Sequence, residues 1–172
     1  MNKLLLAAVA LLATVGVSTA NAADTVTNTD RAGFYVGGNL GSSTDNKSRI
    51  DLGGVAGYQV APYARVEASY DHAWRQNGAG NMLLGNAVAQ YNIPGTTVTP
   101  YVLAGAGVGF DRFGAIKNGN TVGLYDVGAG VRVAVSSTVE LDARYRNVRT
   151  FADRKVGTKD QNLFSVGVNY RF

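Results

Sequence analysis

The sequence predicts an all-β fold, and three observations carry the prediction. Apolar residues recur with a period of two along most of the chain, which marks strands with one apolar and one polar face. Glycine is abundant, at 22 of 172 residues, beside 9 tyrosines and only 3 prolines. After residue 22, no useful length of chain carries apolar residues at the i, i+3, i+4, i+7 spacing of an amphipathic helix.

The N-terminal stretch MNKLLLAAVALLATVGVSTANA stands apart. Lys3 precedes an apolar run from Leu4 to about Leu12, and small residues close on Ala20-Asn21-Ala22. Residues 1–22 therefore read as a secretory signal peptide. A transmembrane helix would need about 20 apolar residues, and Thr14, Gly16 and Ser18 break the run. Export permits disulfides, yet the chain has no cysteine, so a disulfide-stapled domain is excluded. The formal charge of +4 is too mild to imply nucleic acid.

From residue 33 the chain divides into eight alternating runs, at about 33–42, 49–60, 63–72, 81–93, 97–110, 121–135, 138–149 and 161–172. In the first four, one face carries Phe34, Val36 and Leu40; Leu52, Ala56, Tyr58 and Val60; Ala64, Val66, Ala68 and Tyr70; and Leu83, Ala87, Ala89 and Tyr91. The fifth to seventh continue it with Val102 to Phe110, Tyr125 to Val133, and Val139 to Tyr145. The eighth places Phe164, Val166, Val168, Tyr170 and Phe172 on the same face and runs to the last residue without a polar tail. The opposite face carries Asn39, Asp51, Gln59, Arg65, Glu67, Ser69, Asn86, Gln90, Asp126, Arg132, Glu140, Asp142, Arg144, Arg146, Asn169 and Arg171.

Alternation alone fits a soluble sandwich or barrel with the apolar face inward, and equally a membrane barrel with that face outward. Three features favour the membrane barrel. An even strand count behind a signal peptide suits a closed sheet, which satisfies every backbone donor and acceptor in lipid. The connections APY, PGTT and SST are short, whereas SSTDNKS, AWRQNGAGN, DRFGAIKNGN and TFADRKVGTKD are long and polar. Aromatic residues group near two rims: Phe34, Tyr58, Tyr63, Tyr91, Tyr101, Tyr170 and Phe172 at one, and Tyr70, Trp74, Phe110, Phe113, Tyr125, Phe151 and Phe164 at the other. The expected architecture is an eight-stranded antiparallel transmembrane β-barrel of up-and-down topology over 33–172, preceded by a short periplasmic segment at 23–32.

The leader, the opening strand GFYVGGNLG, the later TPYVLAGAGVGF and the closing NYRF resemble the outer-membrane β-barrel domain family of Gram-negative bacteria, in its small eight-stranded OmpA and OmpX types. The resemblance covers about residues 30–172. It implies location in the outer membrane and export through the periplasm. It also implies that Val166, Val168, Tyr170 and Phe172 form the signal read by the outer-membrane assembly machinery. No domain follows Phe172, so the peptidoglycan-binding half of larger members is not expected.

Candidate chemistry divides between inside and outside. Arg65, Glu67, Asp126, Arg132, Glu140, Asp142, Arg144 and Arg146 are expected to form a charge network in the lumen, because an eight-stranded barrel is just wide enough for side chains to fill. A salt-bridge plug is favoured over a narrow porin-like pore, which stays the alternative. A less favoured alternative is a lipid-modifying enzyme built on Ser69, Asp71 and His72. Ser69 and Asp71 share the lumen face and His72 the other, which opposes a hydrogen-bonded pair. One histidine and no cysteine give no transition-metal set, and the glycine string at 105–110 leads into no helix as a phosphate loop would. No cofactor is expected. Gly105, Gly107 and Gly109 are expected to make room beside large lumen side chains.

The external loops are the expected interaction surface. Arg149, Arg154, Lys155 and Lys159 are the binding candidates, with Lys47, Arg49, Arg75, Arg112 and Lys117 adding positive charge at the same end. The expected partners are outer-membrane lipids, lipopolysaccharide phosphates, and host surface or matrix ligands, met through charge-assisted hydrogen bonds. The expected role is structural or surface-interacting and non-enzymatic.

Overall fold

The computed structural model describes residues 33–43, 49–75, 78–111, 121–151 and 161–172. They form β1 (Gly33–Ser43), β2 (Arg49–Ala61), β3 (Ala64–Arg75), β4 (Gly78–Gln90), β5 (Val98–Asp111), β6 (Val122–Ala134), β7 (Val139–Thr150) and β8 (Gln161–Arg171). Each strand pairs antiparallel with its neighbours in the chain, and β8 returns to β1 to close the barrel. The seam sets Tyr35 opposite Arg171 and Ser43 opposite Leu163. No edge is left for another chain to pair with. This is the up-and-down closed barrel expected from the alternation together with the even strand count and the loop lengths.

The strand ends at Ser43 and Arg49, Asp111 and Val122, and Thr150 and Gln161 lie at one end of the barrel, and the connections 62–63, 91–97 and 135–138 at the other. Two connections depart from expectation. The stretch expected as a long loop between β3 and β4 shrinks to 76–77, because both strands run on into it. The turn after β4 is longer than PGTT, because β4 ends at Gln90. In that turn Pro94 has no N–H to donate to a ladder, and Gly95 takes φ 75°, a conformation side-chain-bearing residues resist.

The sheet is turned with its apolar side out. Val102 is 57% exposed, whereas Glu67 is 4% and Arg144 6% exposed. Aromatic rings sit at both rims: Phe34 packs on Tyr58 at 4.7 Å between ring centroids, and Tyr170 on Phe172 at 5.2 Å, at the short-turn end. Tyr125 packs on Phe151 at 5.0 Å at the other. Tyr101 is not among them. It points into the lumen and is buried, because strand parity beside outward Val102 decides its direction. Phe113 lies outside the described residues.

The lumen is not uniformly polar either. Met82, Leu84, Leu124, Val148 and Leu163 form a buried apolar cluster toward the long-loop end. Val88, Tyr101 and Leu103 form a second, smaller one.

Candidate functional site

Period-two geometry delivers Arg65, Glu67, Asp126, Arg132, Glu140, Asp142, Arg144 and Arg146 into the lumen, where all are buried. Their contacts fall into three tiers. The central tier is built around Glu67 of β3. Its Oε1 accepts from Arg132 at 2.5 Å and from the Tyr35 hydroxyl at 2.6 Å, while Arg144 lies 2.9 Å from Oε2. Arg144 also donates to Asp142 Oδ2 at 2.9 Å and, through Nε, to the Tyr101 hydroxyl at 2.8 Å. That hydroxyl in turn donates to Asp142 Oδ1 at 2.6 Å. Arg132 reaches Gln90 Oε1 at 3.2 Å, and its guanidinium carbon stands 4.0 Å from the Tyr101 ring centroid. Six strands thus interlock through one carboxylate and its neighbours.

Toward the short-turn end, Glu140 accepts a two-pronged contact from Arg65 at 2.9 and 3.1 Å and a third bond from Arg171 at 2.8 Å. Arg171 also donates to Gln59 at 2.9 Å. Toward the long-loop end, Arg146 donates to Asp71 at 2.8 Å and to Ser69 Oγ at 3.3 Å. There the Asn86 amide, turned so that its nitrogen faces the carboxylate, donates to Asp126 at 2.8 Å. Among the described residues the lumen buries five arginines, Arg65, Arg132, Arg144, Arg146 and Arg171. Against them stand six carboxylates, Asp51, Glu67, Asp71, Asp126, Glu140 and Asp142. So nearly balanced a set packs largely as ion pairs, since an unpaired charge in such a space costs several kcal/mol.

Sequence reasoning missed the two lumen tyrosines. Tyr35 and Tyr101 each lie beside an outward residue, Val36 and Val102, so parity alone would have found them. A second signal is the glycine facing each ring: a Cβ on Gly57 would collide with Tyr35, and one on Gly130 with Tyr101. A Cβ on Gly105 would meet the Asn86 side chain, and one on Gly107 the backbone of Leu83 and Leu84.

On the outer wall, Val166, Val168, Tyr170 and Phe172 all face away from the lumen along or just beyond β8. His72 also faces outward and lies 2.6 Å by Nδ1 from Asn81 Oδ1, whereas Ser69 faces inward and bonds to Arg146. The wall therefore separates them. Arg149 is not in a loop: it belongs to β7, faces outward and donates through Nε to Asn147 Oδ1 at 2.8 Å. Arg154, Lys155, Lys159, Lys47, Arg112 and Lys117 lie outside the described residues, as do residues 1–32.

A closed eight-stranded sheet with an apolar exterior and an ion-paired interior defines a membrane-spanning barrel. The chain belongs to the outer membrane protein beta-barrel domain family, whose model matches residues 7–172. Comparison with curated proteins gives no match. Among solved structures, Neisserial surface protein A is similar at 20% identity and TM-score 0.67, covering 83% of this chain and 100% of its own. Ail, the attachment invasion locus protein of Yersinia pestis, in complex with the heparin analogue sucrose octasulfate, is similar at 18% identity and TM-score 0.50, covering 82% and 97%. The outer membrane enzyme PagL is similar at 13% identity and TM-score 0.50, covering 79% and 98%. At these identities the likeness shows the fold alone. Family membership and these neighbours support an outer-membrane location.

Proposed function

We propose that this chain is a non-enzymatic barrel with a structural and surface-interaction role in the bacterial outer membrane. One observation carries the reading: the lumen is filled by paired charges, which leaves the exterior as the working surface. Residues 1–22 direct export, and 23–32 and the short-turn end lie in the periplasm. The long-loop end faces outward from the cell, following the asymmetry of such barrels. The outward row Val166, Val168, Tyr170 and Phe172 serves as the signal for the outer-membrane assembly machinery. Arg149, Arg154, Lys155 and Lys159 contact anionic groups of lipopolysaccharide or of host components. The sulfated heparin analogue bound to Ail is a ligand of the matching sign. The test measures binding of the purified barrel to lipopolysaccharide and to host-matrix components. A variant with Arg154→Gln, Lys155→Gln and Lys159→Gln is expected to lose most of that binding, and unchanged binding would overturn the loop contact.

The rival reading is an enzyme acting on membrane lipid. It has in its favour His72 held by Asn81 on the outer wall and the fold likeness to PagL. Overexpression of the wild type is expected to leave lipid A composition unchanged; a change that disappears in His72→Ala would establish the rival.

A further inference from the structure

Two hairpins repeat one outward-facing arrangement. On β3 and β4, the Tyr70 hydroxyl donates to Asn81 Oδ1 at 2.8 Å, and His72 Nδ1 lies 2.6 Å from the same oxygen. On β7 and β8, the Tyr145 hydroxyl donates to Asn162 Oδ1 at 2.8 Å, and Asn147 Nδ2 donates to the same oxygen at 2.7 Å. The register is the same in both, with His72 opposite Asn81 and Asn147 opposite Asn162. Because the hairpins are four strands apart in a ring of eight, the two brackets face opposite sides of the barrel.

They differ at the third outward position. β3 places Trp74 there, its ring 4.6 Å from that of His72. β7 places Arg149, whose Nε–H donates to Asn147 Oδ1. A relay thus runs from Arg149 to Asn147 to Asn162, and every side-chain carbonyl oxygen in it already accepts a bond. Donors are in surplus: Asn162 Nδ2 has no acceptor among the described residues. Beside the relay, Tyr125 stands opposite Arg149 on β6 and packs against Phe151. The bracket lies toward the long-loop end of β7 and β8.

A wall position that combines a guanidinium, an unused amide N–H and flanking rings, all facing lipid at headgroup depth, suits a phosphate attached to a greasy body. We propose that the β7–β8 bracket, formed by Arg149, Asn147, Asn162 and Tyr145, is a seat for a phosphate of an outer-leaflet glycolipid. The seat rests on the surface-interaction reading above and moves part of that contact from the loops to the barrel wall. The β3–β4 bracket, with an indole in place of the cation, is an interfacial anchor without this ligand.

The test titrates folded barrel in detergent micelles with diphosphoryl lipid A and reads the retained lipid by native mass spectrometry. Arg149→Gln and Asn162→Leu are each expected to lower retention about tenfold, the range a charge-assisted hydrogen bond supplies. Tyr70→Phe and Asn81→Leu, in the other bracket, are expected to stay within about twofold of wild type. Every variant is checked for heat-modifiable gel migration. If Asn162→Leu does not fold, the exposed Arg149→Gln decides alone. Retention by Arg149→Gln equal to wild type overturns the seat; if it falls instead in the Arg154, Lys155 and Lys159 variant, the loop reading stands without it. Absence of retention by wild type overturns the seat and lipopolysaccharide contact together, whereas binding to host-matrix components is measured separately. Full displacement of the lipid by inorganic phosphate overturns the glycolipid and leaves a simple anion site.

Discussion

Glu67 is the residue on which the lumen turns, because it accepts from Tyr35 and faces both Arg132 and Arg144. Glu67→Gln keeps the shape and removes the charge, so two buried guanidiniums lose a counter-ion. The expected cost is roughly 3–5 kcal/mol, read from urea unfolding in detergent micelles. Asp126→Asn, at a carboxylate hydrogen-bonded by the Asn86 amide and not by a guanidinium, is expected to cost about 1 kcal/mol or less in the same assay. Gly130→Val drives a side chain into the Tyr101 ring and is expected to destabilise the barrel, and Tyr101→Ala in the same chain should recover part of the loss. The charged lumen residues were legible because Arg65, Glu67, Arg144 and Arg146 alternate with apolar neighbours. Their partners were not, since which arginine meets which carboxylate depends on the stagger of strands that are distant in sequence.

At the scale of the strand, depth on the wall sets the cost of a charge. Val127→Lys, mid-strand on the outer face of β6, is expected to destabilise by about 2–4 kcal/mol, and Tyr63→Lys, in the turn before β3, by about 0–1 kcal/mol. Refolding into liposomes followed by denaturant titration checks both, and equal costs would contradict a lipid-facing exterior. The alternation located all eight strands because most have contrasting faces. It falters at the β3–β4 hairpin, where Gly78, Ala79 and Gly80 carry no side chain large enough to show a pattern, so the sequence reads as loop what the fold makes strand. β4 was also hard to read on its inner face: Met82, Leu84 and Val88 point inward while Leu83, Ala87 and Ala89 point outward, and only Asn86 and Gln90 give the direction away. Residue type groups Tyr101 with the rim aromatics, whereas its parity with Val102 turns it inward. The Tyr–Asn brackets were invisible because their partners lie on different strands, 11 and 17 residues apart.

For the whole molecule, closure and filling act together. The ion-paired tiers and the apolar cluster of Met82, Leu84, Leu124, Val148 and Leu163 together fill one narrow lumen, the cluster standing beside the Arg146–Asp71 tier. The wild-type barrel is therefore expected to pass no discrete currents in planar bilayers, and steady single-channel steps that change in Arg144→Gln would establish the pore instead. The seam between β1 and β8 adds a constraint in time. On its seam side β1 pairs residues 35–43 with 163–171, so nearly the whole chain must arrive before the cylinder can shut. Contacts so remote in sequence form slowly. Until that pairing forms, the open sheet keeps two unpaired borders beside its greasy exterior, surfaces that invite pairing with other chains.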